Sequence, residues 1–253
     1  MSIIGEPEVR RQMGALTTYV DTSLRDNASK LIADSIAASE DEWETDTRLL
    51  LSPKTVVMLP QAGDEFDIEE PAINFHRAGR NIMPRFRVRF LPIRTIERVA
   101  FQLAANQTII EYPMDWVKPD LRLGIINLIP YKLAVPAFGS AAMTWVNMFA
   151  AGVMGSDGWP HLIVCNYTAG YDQAAQQSAV WPMPAQLKFN LAKDAAWRVV
   201  GACRRDLPNS VTLDGFSQQF MSTDKYLKDL HDEFMAFQSE YVRKQRPMNM
   251  GIL

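Results

Sequence analysis

The residues best suited to bond-making chemistry are His76, His161, His231, Cys165 and Cys203, and their spacing builds no recognisable site. The histidines stand in separate stretches. There is no His-Glu-x-x-His and no Cys-x-x-Cys, the patterns that place two metal ligands side by side. No Gly-x-Ser-x-Gly presents a nucleophile on a sharp turn. Gly152-Val153-Met154-Gly155 lacks the strand–turn–helix setting of a nucleotide-binding glycine loop. The 29 acidic residues offer carboxylate pairs by chance alone. With two cysteines and no metal spacing, the reading is a pair of buried free thiols in a chain made in a reducing cytoplasm. No catalytic residue, metal or cofactor is assigned.

The charge pattern is more specific. Arg77, Arg80, Arg85, Arg87, Arg89, Arg94 and Arg98 crowd one window that holds no lysine. The planar guanidinium fork suits bidentate contact with carboxylates or phosphates at partly desolvated surfaces. Just upstream lies an acidic block, Asp64, Glu65, Asp67, Glu69 and Glu70. Three readings stand: a solvated sheet face with local ion pairs, complementary faces on neighbouring subunits of a ring, or contact with DNA phosphates. Net charge is -3, which does not suggest a surface that binds nucleic acid throughout.

The end of the sequence is the second unusual feature. Arg243, Lys244 and Arg246 are followed by Pro247, then by apolar Met248, Met250, Ile252 and Leu253. Chain ends are usually polar and frayed. An apolar end folds back on its own domain or inserts into a neighbour, for which flexible methionines are suited.

The elements that must position these groups follow from periodicity. Residues 1–25 carry Gly5, Pro7 and Gly14 and read as an N-terminal arm. Asn27–Thr47 reads as a helix capped by Asp26, with Ala28, Leu31, Ile32, Ser35, Ile36 and Ser39 on one face. Its acidic end, Glu40 to Glu44, is either a solvated face with Trp43 inward or an inter-subunit surface. From Thr55 the pattern turns to strands: 55–59, 64–69, 84–90, 93–103, 108–112 and 124–129. In the third of these Phe86, Val88 and Phe90 alternate with Arg85, Arg87 and Arg89. The apolar stretch 133–154 is broken by Pro136, Gly139 and Gly152 and reads as packed strand and loop, not a membrane span. Residues 1–11 mix charges of both signs, unlike a secretory leader. Later, Leu187, Leu191, Ala195, Val199 and Cys203 form a four-residue stripe. After a loop at 211–222, Thr223 caps a final helix with Leu227, Leu230, Phe234, Phe237 and Tyr241 inward.

One ordered set of short motifs resembles a known family. Ile163-Val164-Cys165-Asn166 reads as an edge strand leading into Tyr167-Thr168-Ala169-Gly170-Tyr171. A proline-bearing loop follows, and a helix opens as Pro184-x-x-Leu187-Lys188. Upstream, Phe90-Leu91-Pro92-Ile93-Arg94-Thr95-Ile96 looks like a Leu-Pro strand opening before a variable β-meander. Together these resemble the head–tail connector, or neck adaptor, proteins of tailed bacteriophages. Gly170 would supply a positive-φ turn and Pro184 a helix start where a missing N–H costs nothing. The N-terminal arm, enlarged middle and final helix exceed the smallest members.

The resemblance implies a virion structural protein without enzymatic activity, located in the neck between capsid and tail. Its partners would be the portal protein, a tail or further neck protein, and copies of itself in a ring, a dodecamer by analogy. DNA would pass through the lumen without sequence-specific binding, and no membrane is involved. The expected interface residues are Arg85, Arg87, Arg89, Arg243, Lys244, Arg246, Met248, Met250, Ile252 and Leu253. The expected fold class is α+β: a discontinuous helical domain (26–54 and 181–247), a β-rich insertion (55–180), an additional C-terminal helix and a tail (248–253). The alternatives are another neck or baseplate ring protein, or an enzyme or ligand-binding protein with no recognisable motif.

Overall fold

The computed structural model describes residues 2–76, 85–104, 107–128, 158–172, 181–203, 211–213, 216–218 and 223–245. The fold is α+β. The chain divides into a helical unit, Met1–Leu51 with Pro182–Met248, and a β-rich unit, Ser52–Asp172 with Trp181. Among the described residues no helix is long and apolar enough to cross a membrane.

In the helical unit, the stretch expected as an arm is largely helical. It forms α1 (Glu6–Met13) and α2 (Thr17–Leu24), joined by a turn of 3-10 helix. The glycines and proline that read as breakers are the helix boundaries. Gly5 is the N-cap and its N–H donates to Glu8 Oε2 at 2.8 Å, while Pro7 lies in the first turn. Acids Glu6 and Glu8 open α1 and Arg10 and Arg11 close it, complementing the helix dipole. Val9, Met13 and Val20 are buried, and Arg10 ties Glu6 at 2.7 Å to Asp21 at 2.8 Å.

Helix α3 (Ala28–Thr47) starts one residue later than expected. The N-cap is Asn27, the last residue of a 3-10 turn, rather than Asp26. Ala28, Ile32, Ser35, Ile36, Ser39 and Trp43 are buried, with Leu31 at the margin. The acidic end is spent inside the unit. Glu40 Oε1 accepts the N–H groups of Ile3 and Ile4, at 2.8 and 3.2 Å. Glu42 pairs with Arg198, and Glu44 accepts the Leu51 N–H at 2.8 Å.

Helix α4 (Ala185–Ala202) is the centre of this unit, with α1, α3 and α5 (Thr223–Gln245) packed on it. Its expected stripe is buried, and so are Ala192, Ala196 and Val200, because three helices cover it. On α5, Leu227, Leu230 and Phe234 are buried and Phe237 and Tyr241 half-buried. Trp43 takes Phe234, Phe237 and Tyr241 as ring neighbours, with centroids 6.1, 6.1 and 5.8 Å away. Part of the expected 211–222 loop is a hairpin, β10 (Val211–Leu213) with β11 (Phe216–Gln218). The Asp214-Gly215 pair between them is a hairpin signal in the sequence.

The β-rich unit is built on β9 (Gly158–Ala169). It is flanked by β5 (Ile93–Ala104) on one side and by β1 (Lys54–Met58) and β3 (Ile73–His76) on the other. The edges of this six-stranded sheet are β2 (Ile68–Glu70), parallel to β1, and β6 (Gln107–Glu111). The expected edge strand at 163–166 is thus central. Its unbroken apolar run is the reason: Ile163, Val164 and Cys165 are all buried, as in a strand covered on both faces. The alternation at 64–69 yields a strand only from Ile68; residues 61–67 are exposed loop. A three-stranded sheet, β4 (Arg85–Arg87), β8 (Ile125–Leu128) and β7 (Val117–Asp120), completes the unit. Strand β7, carrying Pro119, had no sequence expectation. The apolar stretch 133–154 lies outside the described residues.

Candidate interaction surface

The arginine window is displayed by β4. In antiparallel sheets, residues opposite one another share a face. The register places Arg85 opposite Asn127, itself opposite Lys118; Arg87 is opposite Ile125, itself opposite Asp120. The rows between carry Phe86, Ile126 and Pro119, and then Leu128 with Val117. Phe86, Ile126, Leu128 and Val117 are buried, whereas Arg85, Arg87, Lys118 and Asp120 are exposed. The period-2 pattern therefore builds a sheet with one apolar face and one face that carries the exposed charges beside the buried Ile125, and Val88 and Phe90 continue the apolar side.

The arginines of the window divide into two groups. Arg94 pairs with Asp172, Arg98 with Glu111 at 3.6 Å, and Arg89 with Glu70 at 3.7 Å, its guanidinium 5.5 Å from the Phe90 ring. These three are spent on partners within the same chain. The Arg85 and Arg87 side chains make no ion pair or hydrogen bond among the described residues. Arg77 and Arg80 lie outside the described residues.

The acidic block is also divided. Glu70 is no surface acid: it is 4% exposed and accepts the Tyr167 hydroxyl at 3.3 Å. The same hydroxyl accepts the Phe90 N–H at 3.2 Å. Burial, then the Glu70 charge, push the Tyr167 phenol well above its ordinary range. The same two causes, in the same order, raise the Cys165 thiol. Both groups are therefore protonated at neutral pH, and Cys165 lacks the thiolate character of a reactive cysteine.

The remaining acids sit on a shaped loop. Gly63 takes φ +98°, Asp64 Oδ2 accepts the Gln61 N–H at 2.8 Å, and the Asp64 N–H donates to the Gln61 carbonyl at 3.1 Å. Asp67 is fastened to β1 twice: its Oδ2 accepts the Thr55 N–H at 2.8 Å and its N–H donates to the Thr55 carbonyl at 3.0 Å. Between these anchors Glu65 and Phe66 are exposed, Phe66 to 43%.

At the other expected interface, Arg243 and Lys244 are exposed in the last turn of α5, where positive charge suits the helix dipole. Lys244 pairs with Glu240 at 2.6 Å, and that hydrogen bond draws the Glu240 carboxyl below its ordinary range. Arg246, Met248, Met250, Ile252 and Leu253 lie outside the described residues.

The residues of the family-like motifs have specific structural work. Tyr167 and Tyr171 are buried. Gly170 takes φ +127°, and a Cβ there would stand 2.1 Å from the Ser52 carbonyl oxygen, so only glycine fits. Its N–H donates to the Pro92 carbonyl at 2.9 Å; the Leu91–Pro92 peptide is cis. Pro184 is the N-cap of α4 and its carbonyl accepts the Leu187 and Lys188 N–H groups, at 3.0 and 3.3 Å. A clasp unseen in the sequence follows Tyr171. Asp172 pairs with Arg94 and accepts the Trp181 N–H at 3.1 Å, while the Trp181 indole donates to the Ile93 carbonyl at 2.7 Å. Nothing in the sequence links Asp172 to Trp181 and Arg94, since the contact is long-range.

Among the described residues no group of three or more His, Cys, Asp or Glu could hold a metal ion. His231 stacks on Trp197, centroids 4.7 Å apart. Cys165 and Cys203 are buried thiols, not joined in a disulfide. No protein-family model matches the chain, and no curated protein matches its sequence.

Proposed function

We propose that this chain is a head–tail connector subunit of a tailed bacteriophage, one copy in a ring that links the portal to the tail and continues the DNA channel. The observation that carries the proposal is the ordered set Phe90–Ile96, Tyr167–Tyr171 and Pro184-x-x-Leu187-Lys188. The roles of Gly170 and Pro184 as turn and helix start support it. The exposed Arg85 and Arg87, without local partners among the described residues, support a surface kept for another molecule.

In this reading the protein works by assembly and catalyses nothing. A closed ring needs heterologous contacts, so two different surfaces of one subunit must be complementary. The portal would meet one side of the ring and a tail or further neck protein the other, with the segment 247–253 docking into one of them. The lumen passes DNA without reading its sequence. The protein would be made in the host cytoplasm and function in the virion neck.

Negative-stain microscopy of the purified chain, alone and mixed with the portal of its own phage, tests this. Rings, free or seated on the portal, are the expected result. A chain that stays monomeric and does not bind the portal at micromolar concentration would sink the proposal.

A further inference from the structure

The geometry points to a specific contact between copies of this chain: the loop Gln61–Asp67 of one copy docks on the Arg85/Arg87 sheet face of the next. This inference rests on the ring reading above and names the two surfaces that meet.

The loop has the features of a docking element. It is exposed throughout, yet held at both ends by the Gln61–Asp64 and Thr55–Asp67 hydrogen bonds, so docking would order little new backbone. Those bonds occupy the carboxylates of Asp64 and Asp67. Glu65 and Phe66 are left pointing outward, and neither makes an ion pair or ring contact among the described residues. The other exposed aromatic side chain among the described residues, Phe189, has the Lys193 ammonium 4.8 Å over its ring.

The sheet face has the complementary features. Arg85 and Arg87 are two residues apart on one face of β4, about 6.6 Å at strand rise, with exposed Lys118 across the sheet. One guanidinium can take the Glu65 carboxylate through two parallel N–H bonds, while the other lies over the Phe66 ring. An aromatic anchor beside a charged pair is the usual composition of an interface hot spot. Arg89 and Glu70 are already paired within one copy, so they are not counted in the contact. A DNA strand could also meet the arginines, but it would leave Glu65 and Phe66 unexplained and would face the exposed Asp120 on the same surface. Because the two surfaces differ, the contact is head-to-tail, the kind that closes a ring.

Charge exchange in the full chain tests it. Arg87→Glu and Glu65→Arg should each weaken self-association about 10–100-fold in mass photometry, because each sets like charges together. Phe66→Ser should weaken it by at least about tenfold. The double variant Arg87→Glu/Glu65→Arg, and an equimolar mixture of the two single variants, should both recover assembly, since every junction is then wild-type or fully exchanged. Unchanged circular dichroism and melting would show that the variants are folded, as expected for exposed positions. Rings from the single variants equal to wild type would overturn the contact and leave the connector reading standing. The same holds if neither the double variant nor the mixture recovers, or if Arg87→Glu loses only DNA retention. A wild-type chain that never assembles, even on the portal, would overturn both.

Discussion

Tyr167 donates its hydroxyl to Glu70 Oε2 at 3.3 Å, and both side chains are inside the β-rich unit. Glu70 comes from the edge strand β2 and Tyr167 from the central strand β9. The pair takes an acid out of the surface charge pattern and holds a tyrosine of the family-like motif in the core. It also makes the unit sensitive to alkali.

Tyr112 offers the cleanest test of that sensitivity. Burial pushes its phenol up to about 12 from an ordinary value of 10.0. A raised folded-state value means that stability is complete below about pH 10 and is lost as pH rises towards about 12. Tyr167 and Cys165, both raised by burial first and Glu70 second, act in the same direction. Urea unfolding between pH 8 and pH 12 should show a steady fall, and Tyr112→Phe should remove about 2–3 kcal/mol of it. An unchanged pH profile in that variant would contradict the assignment.

Gly170→Ala should be among the most damaging single substitutions in the chain. The φ of +127° alone costs roughly 1–3 kcal/mol for a residue with a Cβ, and the added carbon meets backbone at Ser52. Gly14→Ala is the control: its φ is +58° but nothing lies within 4 Å of the added Cβ. Its loss in chemical denaturation should be clearly the smaller.

In the helical unit Leu191→Ala should cost roughly 2–5 kcal/mol, because Leu191 is fully buried in the face of α4. A loss under about half a kcal/mol would show that this face is not a core. Trp43 behaves differently. Its indole N–H is buried without a hydrogen-bond partner among the described residues. Trp43→Ala should cost roughly 3–5 kcal/mol. Trp43→Phe, which keeps the ring contacts and removes the unsatisfied donor, should cost less than half as much.

Arg198 bridges the buried Asp194, at 2.8 Å, and Glu42. Arg198→Ala strands the Asp194 carboxylate and should cost roughly 1.5–3 kcal/mol. Adding Asp194→Ala should recover part of that loss. A strictly additive double variant would show that the two side chains do not act together.

On the proposed connector reading, deleting residues 247–253 should leave the melting temperature unchanged and weaken capture by the portal or the next neck protein. Apolar tail residues contribute roughly 25 cal/mol per Å² of surface they remove from water at such a contact. If capture survives intact, or the truncated chain unfolds, the segment is no docking tail.

What the sequence by itself determined was local periodicity. The alternation at Arg85–Phe90 specifies a sheet with a charge-bearing and an apolar face. The stripe from Leu187 to Cys203 specifies a core helix. Both follow from side chains at fixed spacing along a regular backbone. The boundary chemistry of α1 was also written there, in Gly5, Pro7, Glu8 and Arg10, but caps and loops use the same residues, so the glycines and proline read equally as an arm. Only the tertiary structure decided which strand is central, since β9 acquires its neighbours from β1, β3 and β5, distant in the chain. It also decided which charges are spent. Glu70, Arg89, Arg94 and Arg98 look like surface charges in sequence, yet each finds a partner brought by long-range pairing. Arg85, Arg87 and Glu65 differ from them not in residue type but in what the fold brings near them, which no local pattern encodes.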